Sequence, residues 1–251
     1  MCYSVAFLEK KLSRLTLRYR HLQPPGNKPG AEQTTMRDEL PFYYFVSGFS
    51  HPLLPFITNQ CLQLFSWGLI PFWVKAEEQA ATIRKGTLNA VSETVFEKPS
   101  YKHSIRTRRG LLPISGFFEW REFQNKKYPY FIKMASEELC SLACIYDTWT
   151  NPGTGEIITS FSILTTPADA LMEVVHNRKK RMPLILNREN EQKWMEPNLK
   201  PDELAGLLTT PEKLPLQAYT VSRMLNYAGN QRNIPEAIAP VRYPELPPLP
   251  D

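Results

Sequence analysis

Hydrophobic positions change their spacing along the chain, and each change predicts a different element. Near the start, Leu8, Leu12 and Leu15 recur at helical spacing in a basic, polar background, so "FLEKKLSRLTLRYRHL" reads as an amphipathic helix. The polar stretch "QPPGNKPGAEQTT" reads as the loop that follows it. Beyond it lie "PFYYFVSGF", "QCLQLFSWGLI", "GLLPISGFFEW", "YPYFIKMA", "LCSLACIYDTW" and "ITSFSILTT", short segments dense in aromatic and β-branched residues with Gly or Pro between them. Such side chains fit a pleated, half-buried surface, and the segments read as strands. Helices are expected at "PADALMEVV", "RENEQKWME" and "PDELAGLLT", the first and third opening with Pro at a first helical position.

Strands with interspersed helices, but without regular βαβ alternation, predict an α+β fold. The expected form is a single domain, a curved and mainly antiparallel barrel-like β-sheet with peripheral helices. Its 251 residues, 42% hydrophobic and 22% charged, suffice for one sizeable core. The 23 prolines are scattered, apart from the terminal "PELPPLP". The expected division is therefore a domain over residues 1–235 and a Pro-rich tail over residues 236–251. No apolar run approaches the ~20 residues of a membrane-spanning helix, and membrane insertion is not expected. Cysteines at positions 2, 61, 140 and 144 show no framework spacing, and no secretory apolar region precedes Glu9, Lys10 and Lys11, so a reducing cytoplasm is expected. Nothing in the sequence calls for more than a monomer.

Charge alters this picture only through its placement. The balance of 30 Lys+Arg against 25 Asp+Glu is too mild to imply a polyanionic partner. Yet "YKHSIRTRRG" carries Lys102, Arg106, Arg108 and Arg109 without an acid, and a second run joins Arg178, Lys179, Lys180 and Arg181. Two such patches point to a localised anion-binding face. "WGLIPFW" adds Trp67, Phe72 and Trp73, which can stack on nucleobases, although aromatics more commonly serve a core.

The candidate chemistry begins at "MCYSVAF". Removal of Met1 would leave Cys2 with an amine and a thiol on adjacent carbons, a pair that closes on an aldehyde to form a five-membered thiazolidine. The plainer alternative is a small apolar cysteine. Glu119, between Phe118 and Trp120 in "SGFFEW", is either a desolvated acid–base group or an edge-strand carboxylate facing water. His176 in "EVVHNRKKRMPLIL" is either a proton carrier beside phosphate-binding cations or part of a solvated loop. "LNAVSETV" offers Asn89, Ser92, Glu93 and Thr94 to orient an amine or phosphate, and equally reads as a helix start. No zinc, EF-hand, P-loop or GxGxxG pattern occurs, so neither a metal nor a nucleotide cofactor is implied.

Taken in order, "MC", "WGLIPFW", "LNAVSET", "GFFEW", "VHNRKKRMPLIL" and "YTVSRMLN" resemble the SOS response-associated peptidase family, also called the abasic-site processing family. The resemblance implies a protein that captures abasic sites in single-stranded DNA through an N-terminal cysteine, after releasing its own Met1. It makes Cys2 the nucleophile, Asn89 a positioning residue, Glu119 the acid–base glutamate and His176 a proton donor. Two departures are visible: Tyr3 and Val91 stand where many members have the glycine of "MCGR" and the arginine of "NARxET". Two rival functions remain open on the residues alone, an N-terminal-nucleophile hydrolase of small amides and a noncovalent single-stranded DNA binding module.

Overall fold

The computed structural model describes residues 2–22, 39–135, 139–209, 214–229 and 231–250. In chain order the first half forms β1 (Ser4–Phe7), α1 (Leu12–Arg18), β2 (Tyr43–Ser47), β3 (Leu53–Ile57), β4 (Leu62–Trp67), α2 (Glu77–Gly86), β5 (Asn89–Val91), α3 (Ser104–Thr107) and β6 (Arg109–Ile114). The second half forms β7 (Gly116–Phe123), β8 (Lys126–Met134), β9 (Cys140–Thr150), β10 (Ile157–Pro167), α4 (Ala170–Val175), β11 (Arg181–Pro183), β12 (Ile185–Leu186), α5 (Arg188–Met195), α6 (Pro201–Thr209) and β13 (Leu216–Thr220).

Strands β10, β4, β3, β6 and β9 pair in that order, and β9 pairs again with β10, which closes a barrel. All these pairings are antiparallel except β10 with β4, so the sheet is mixed where it closes. Phe56, Phe65, Phe161 and Tyr146 meet ring to ring within the barrel core. β6 approaches β3 so closely that a Cβ on Gly110 would lie 2.2 Å from the Phe56 ring. Against the barrel lies a second sheet ordered β13-β8-β7-β1-β2. The α+β, single-domain, barrel-like expectation therefore agrees with the structure.

Several elements differ from the sequence reading. The first helix is limited to Leu12–Arg18, because Lys10 and Lys11 are held extended by pairing with Leu40 and Glu39. "GLLPISGFFEW" is two strands, turned at Ser115, whose N–H donates to Ala6 O and whose hydroxyl accepts from Leu8 N–H. Pro167 ends β10 rather than opening a helix; Asp169 caps α4 by accepting from Met172 N–H at 2.8 Å. "QPPGNKPGAEQTT" lies outside the described residues.

The segment read as a tail is strapped to the fold. Val241 N–H donates to Thr220 O at 2.9 Å, Tyr128 donates to Glu245 at 2.8 Å, and Arg121 donates to Pro247 O at 2.8 Å. Tyr243, Leu246 and Leu249 pack on the core, Tyr243 edge-on to the Tyr128 ring of β8. Among the described residues no helix is long and apolar enough to cross a membrane.

One buried charge network ties α1 to α5. Glu191 is fully buried and accepts two hydrogen bonds from Arg18, at 3.1 and 2.7 Å, one from Ser141, and a contact at 2.9 Å from His21 Nε2. Removing one partner of a buried ion pair strands the other charge in a medium that solvates it poorly. Glu191→Ala is expected to lower unfolding free energy by about 3–5 kcal/mol, read from urea denaturation at constant m-value.

Candidate functional site

The site forms where the chain start, β5, β7 and the α4–β11 turn converge. Cys2 is fully buried in the core cluster. Asn89, on β5, donates from Nδ2 to Cys2 O at 2.9 Å and so holds the main chain of the residue carrying the thiol. β5 is itself fixed by parallel pairing to β10, with Asn89 opposite Ile163, and by Tyr101, whose hydroxyl donates to Asn89 O at 3.1 Å. Tyr101 was not singled out from the sequence, where it looks like any aromatic in a basic stretch.

Glu119 lies mid-strand on β7, opposite Tyr130 on β8, and is 4% exposed. Its face is shared with Phe117 and Cys2 rather than with solvent. Burial pushes its carboxyl up to about 7, partly countered by the charge and hydrogen bond of the chain's N-terminal ammonium and, less, by the nearby Lys179 charge. β1 runs antiparallel beside β7 with Val5 opposite Phe117, so continuing the register brings Tyr3 toward Glu119.

His176 terminates α4 and is held at every polar atom of its peptide. Its N–H donates to Met172 O at 2.7 Å, and its carbonyl accepts from Lys180 N–H at 2.9 Å. Its Nδ1 lies 2.7 Å from Arg181 O, which can only accept, so Nδ1 carries the proton and Nε2 is the acceptor nitrogen of the neutral ring. That Nε2 is 3.7 Å from Glu119 Oε2, ion-pair range but longer than a hydrogen bond. Desolvation lowers the imidazole pKa, with Lys179 adding to the shift. Both partners thus favour their neutral forms. The Cys2 thiol is pushed well up, first by burial and then by Glu119. At neutral pH it is a thiol, not a preformed thiolate.

The turn that presents His176 is anchored twice. Asn177 donates to Glu122 O at 2.8 Å and accepts from Glu122 N–H at 3.1 Å, which pins the turn to β7. Arg181 forms a bidentate pair with Glu93 at 2.7 and 2.8 Å and donates to Thr165 O at 2.6 Å. Those hydrogen bonds push the Glu93 carboxyl down to about 2. Asn177 carries no distinguishing sequence signal beyond its adjacency to His176.

The expected DNA-contacting residues divide sharply. Phe72 and Trp73 are exposed, Arg108 lies over the Phe72 ring, and Lys102 and Arg106 are exposed beside them. Arg178, Lys179 and Lys180 are exposed on the turn after His176, Arg178 with Glu122 at 3.3 Å and Lys180 with Glu173 at 3.6 Å. Four expectations need correction. Trp67 is fully buried and donates to Leu88 O, so it serves the core and offers no stacking face. Arg109 is buried and donates to the carbonyls of Trp194, Ile105, Arg106 and Glu196, so it ties α3 and α5 to β6. Arg181 is occupied by Glu93 and Thr165, and Arg108 is paired with the buried Asp147. No group of three or more His, Cys, Asp or Glu suited to a metal occurs among the described residues.

A closed α+β barrel that buries a thiol at the second position of the chain near a buried carboxyl–imidazole pair defines a class of site. The chain belongs to the SOS response associated peptidase family, whose model matches residues 23–228. That span contains Asn89, Glu119 and His176; Cys2 precedes it. The Bacillus subtilis "Abasic site processing protein YoqW" is 38% identical over 183 residues, 72% of this chain and 77% of its own. The Xenopus tropicalis "Abasic site processing protein HMCES" is 29% identical over 203 residues, 73% of this chain and 58% of its own. A crystal structure of a Bacteroides thetaiotaomicron protein superimposes with a TM-score of 0.85 at 36% identity, covering 96% of this chain and 100% of that one.

The raised Glu119 carboxyl has a consequence for stability. A group whose folded pKa is about 7 binds its proton more tightly than in the unfolded chain. Its stabilising contribution is full below pH ~4.5 and is lost as pH rises through about 7. Glu119→Gln is therefore expected to gain stability relative to the parent between pH 5 and pH 8, by on the order of 3 kcal/mol. Urea unfolding of both proteins across that range measures the difference.

Proposed function

We propose that this protein processes abasic sites in single-stranded DNA by joining Cys2 covalently to the ring-opened sugar. The observation that carries the reading is a buried carboxyl near neutrality, in ion-pair range of a fixed imidazole, beside a cysteine whose carbonyl Asn89 holds. The names of the relatives support the same lesion.

The chemistry starts with hydrolysis of the Met1–Cys2 peptide bond, which consumes one water and frees the α-amine. Glu119 is suited to take a proton from that water and pass it to the departing Cys2 nitrogen, because its pKa lies near the working pH. The amine, with a reference pKa of about 7.7–8.0, adds to the sugar aldehyde and gives a carbinolamine. Protonated Glu119 gives its proton to the carbinolamine hydroxyl, which leaves as water, and an iminium forms. The Cys2 thiol then returns a proton to the Glu119 carboxylate as sulfur bonds to the iminium carbon. The ring closes as a thiazolidine with Glu119 protonated again. One water is lost between aldehyde and product, and no electrons are exchanged.

His176, neutral and with Nε2 toward Glu119, relays protons to and from this carboxyl. The high thiol pKa orders the steps, since the amine reacts first and the thiol is activated only within the site. Binding energy for the strand comes from Lys102, Arg106, Arg178, Lys179 and Lys180 on phosphates, with Phe72 and Trp73 as stacking faces. Holding the aldehyde beside the amine makes their reaction effectively unimolecular.

Denaturing intact-mass spectra before and after incubation with an abasic oligonucleotide test the reading. The parent is expected to lack Met1 and to gain the oligonucleotide mass less one water, while Cys2→Ala gains nothing. Turnover of a small amide without an adduct supports a hydrolase instead; binding that does not survive denaturation supports a noncovalent module. The electrostatic part has its own readout. Lys102→Ala combined with Arg106→Ala is expected to flatten the slope of log K against log salt by about 1.4, measured by fluorescence anisotropy.

A further inference from the structure

Phe49 is a large aromatic side chain kept in water by a rigid turn. It is 59% exposed, on the single helical turn Gly48–Ser50 that follows β2. Ser47 caps that turn by accepting from Phe49 N–H, and the Ser50 hydroxyl donates to Ser47 O at 2.7 Å. His51 closes it in the left-handed region, φ 51°, with Nδ1 at 2.8 Å from Trp67 O. Gly48 is packed so closely that an added Cβ would sit 2.9 Å from the buried Trp67 ring. The turn therefore cannot swing to bury Phe49 without breaking several of these contacts.

The turn is also joined to the chain start. Gly48 N–H donates to Tyr3 O at 2.9 Å, and the Tyr3 and Phe49 rings lie 5.2 Å apart at 30°. Tyr3 is half-buried, adjacent in sequence to Cys2, and its phenol is raised by burial and by the charges of Glu119 and Cys2. One aromatic surface thus runs from the Glu119 side of the site, through Tyr3, to the solvent-exposed face of Phe49.

We propose that Tyr3 and Phe49 form a base-stacking shelf that receives the nucleobase next to the abasic sugar on one side. This inference rests on the covalent capture proposed above and adds a subsite to it. An abasic sugar presents no base of its own, so the recognisable π-faces belong to its neighbours. Stacking one neighbour on a shelf fixed beside Cys2 places the lesion's sugar at the amine. Every base has such a face, so the shelf selects for the presence of a neighbouring base and not for its identity. The fixed turn carries little ordering cost on binding, because its rotations are already lost.

The test is a cycle between protein and DNA. The probes are single strands with one abasic site, in which the 5′ or the 3′ neighbour is a normal nucleotide or a tetrahydrofuran spacer that lacks both base and aldehyde. Adduct formation by the parent is expected to need roughly 5- to 100-fold more DNA for half-maximal rate when one particular neighbour is the spacer. Phe49→Ala should show a similar penalty with the normal strand, a nearly unchanged maximal rate, and little further loss with the spacer. Its melting temperature should match the parent's, since the ring is mostly exposed. Equal half-saturation for parent and Phe49→Ala, or indifference of the parent to both neighbours, overturns the shelf. If no adduct forms with any strand, covalent capture fails instead, and the shelf is read separately. Quenching of 2-aminopurine beside a tetrahydrofuran site by the parent, lost in Phe49→Ala and reduced in Tyr3→Ala, supports the shelf, and equal quenching overturns it.

Discussion

Strand β10 is the constraint on which both the barrel and the site depend. It pairs antiparallel with β9 over seven residue pairs, from Ile157 to Ile163, and so supplies one wall of the barrel. Its short partners are three: β4 at Ser160 and Phe161 and β5 from Ile163 to Thr165 on the other edge, and β11 from Thr165 to Pro167 on the edge that β9 leaves. Buried main-chain donors and acceptors must be paired, so the position of each short partner is set by the register of one long strand. Asn89 rides on the second partner, and the third begins at Arg181, whose carbonyl orients His176. The barrel closure and the site geometry are consequences of the same ladder.

The electrostatics follow from where that ladder leaves the side chains. Glu119 and His176 meet inside a region that solvates charge poorly, and each is displaced toward its neutral form. Arg181 does the opposite for Glu93 at the surface, keeping it ionised and using the pair as a brace. Two carboxylates of one fold are thus held in opposite states: one is displaced toward its protonated form and the other stays ionised as a brace. Lys179 is exposed yet shifts both members of the inner pair, so a phosphate that neutralised Lys179 would also change the proton affinities within the site.

The broad strands were legible because β-branched and aromatic runs between Gly and Pro have few other uses, and β9 and β10 follow their sequence patterns closely. The short strands β5, β11 and β12 were not legible, since two or three residues carry no period and are strands only because β10 and β9 pair with them. Among the candidate site residues, Cys2, Asn89, Glu119 and His176 announce themselves by chemistry and family pattern. Composition misled at Trp67, Arg109 and Arg181, because a cation or an aromatic in a surface-like string is indistinguishable from one whose polar atoms are satisfied internally. Asn177 and Tyr101 act through main-chain hydrogen bonds across the fold, which no local pattern encodes.

The burial of Cys2 has a consequence for its chemical lifetime. Peroxides and other oxidants consume thiolates far more readily than thiols, and they must reach the sulfur to do so. A sulfur without solvent exposure, held protonated by its surroundings, meets neither condition. For the capture proposed above, the burial that delays sulfur's nucleophilicity until an aldehyde enters also preserves it against the oxidative conditions under which DNA bases are lost.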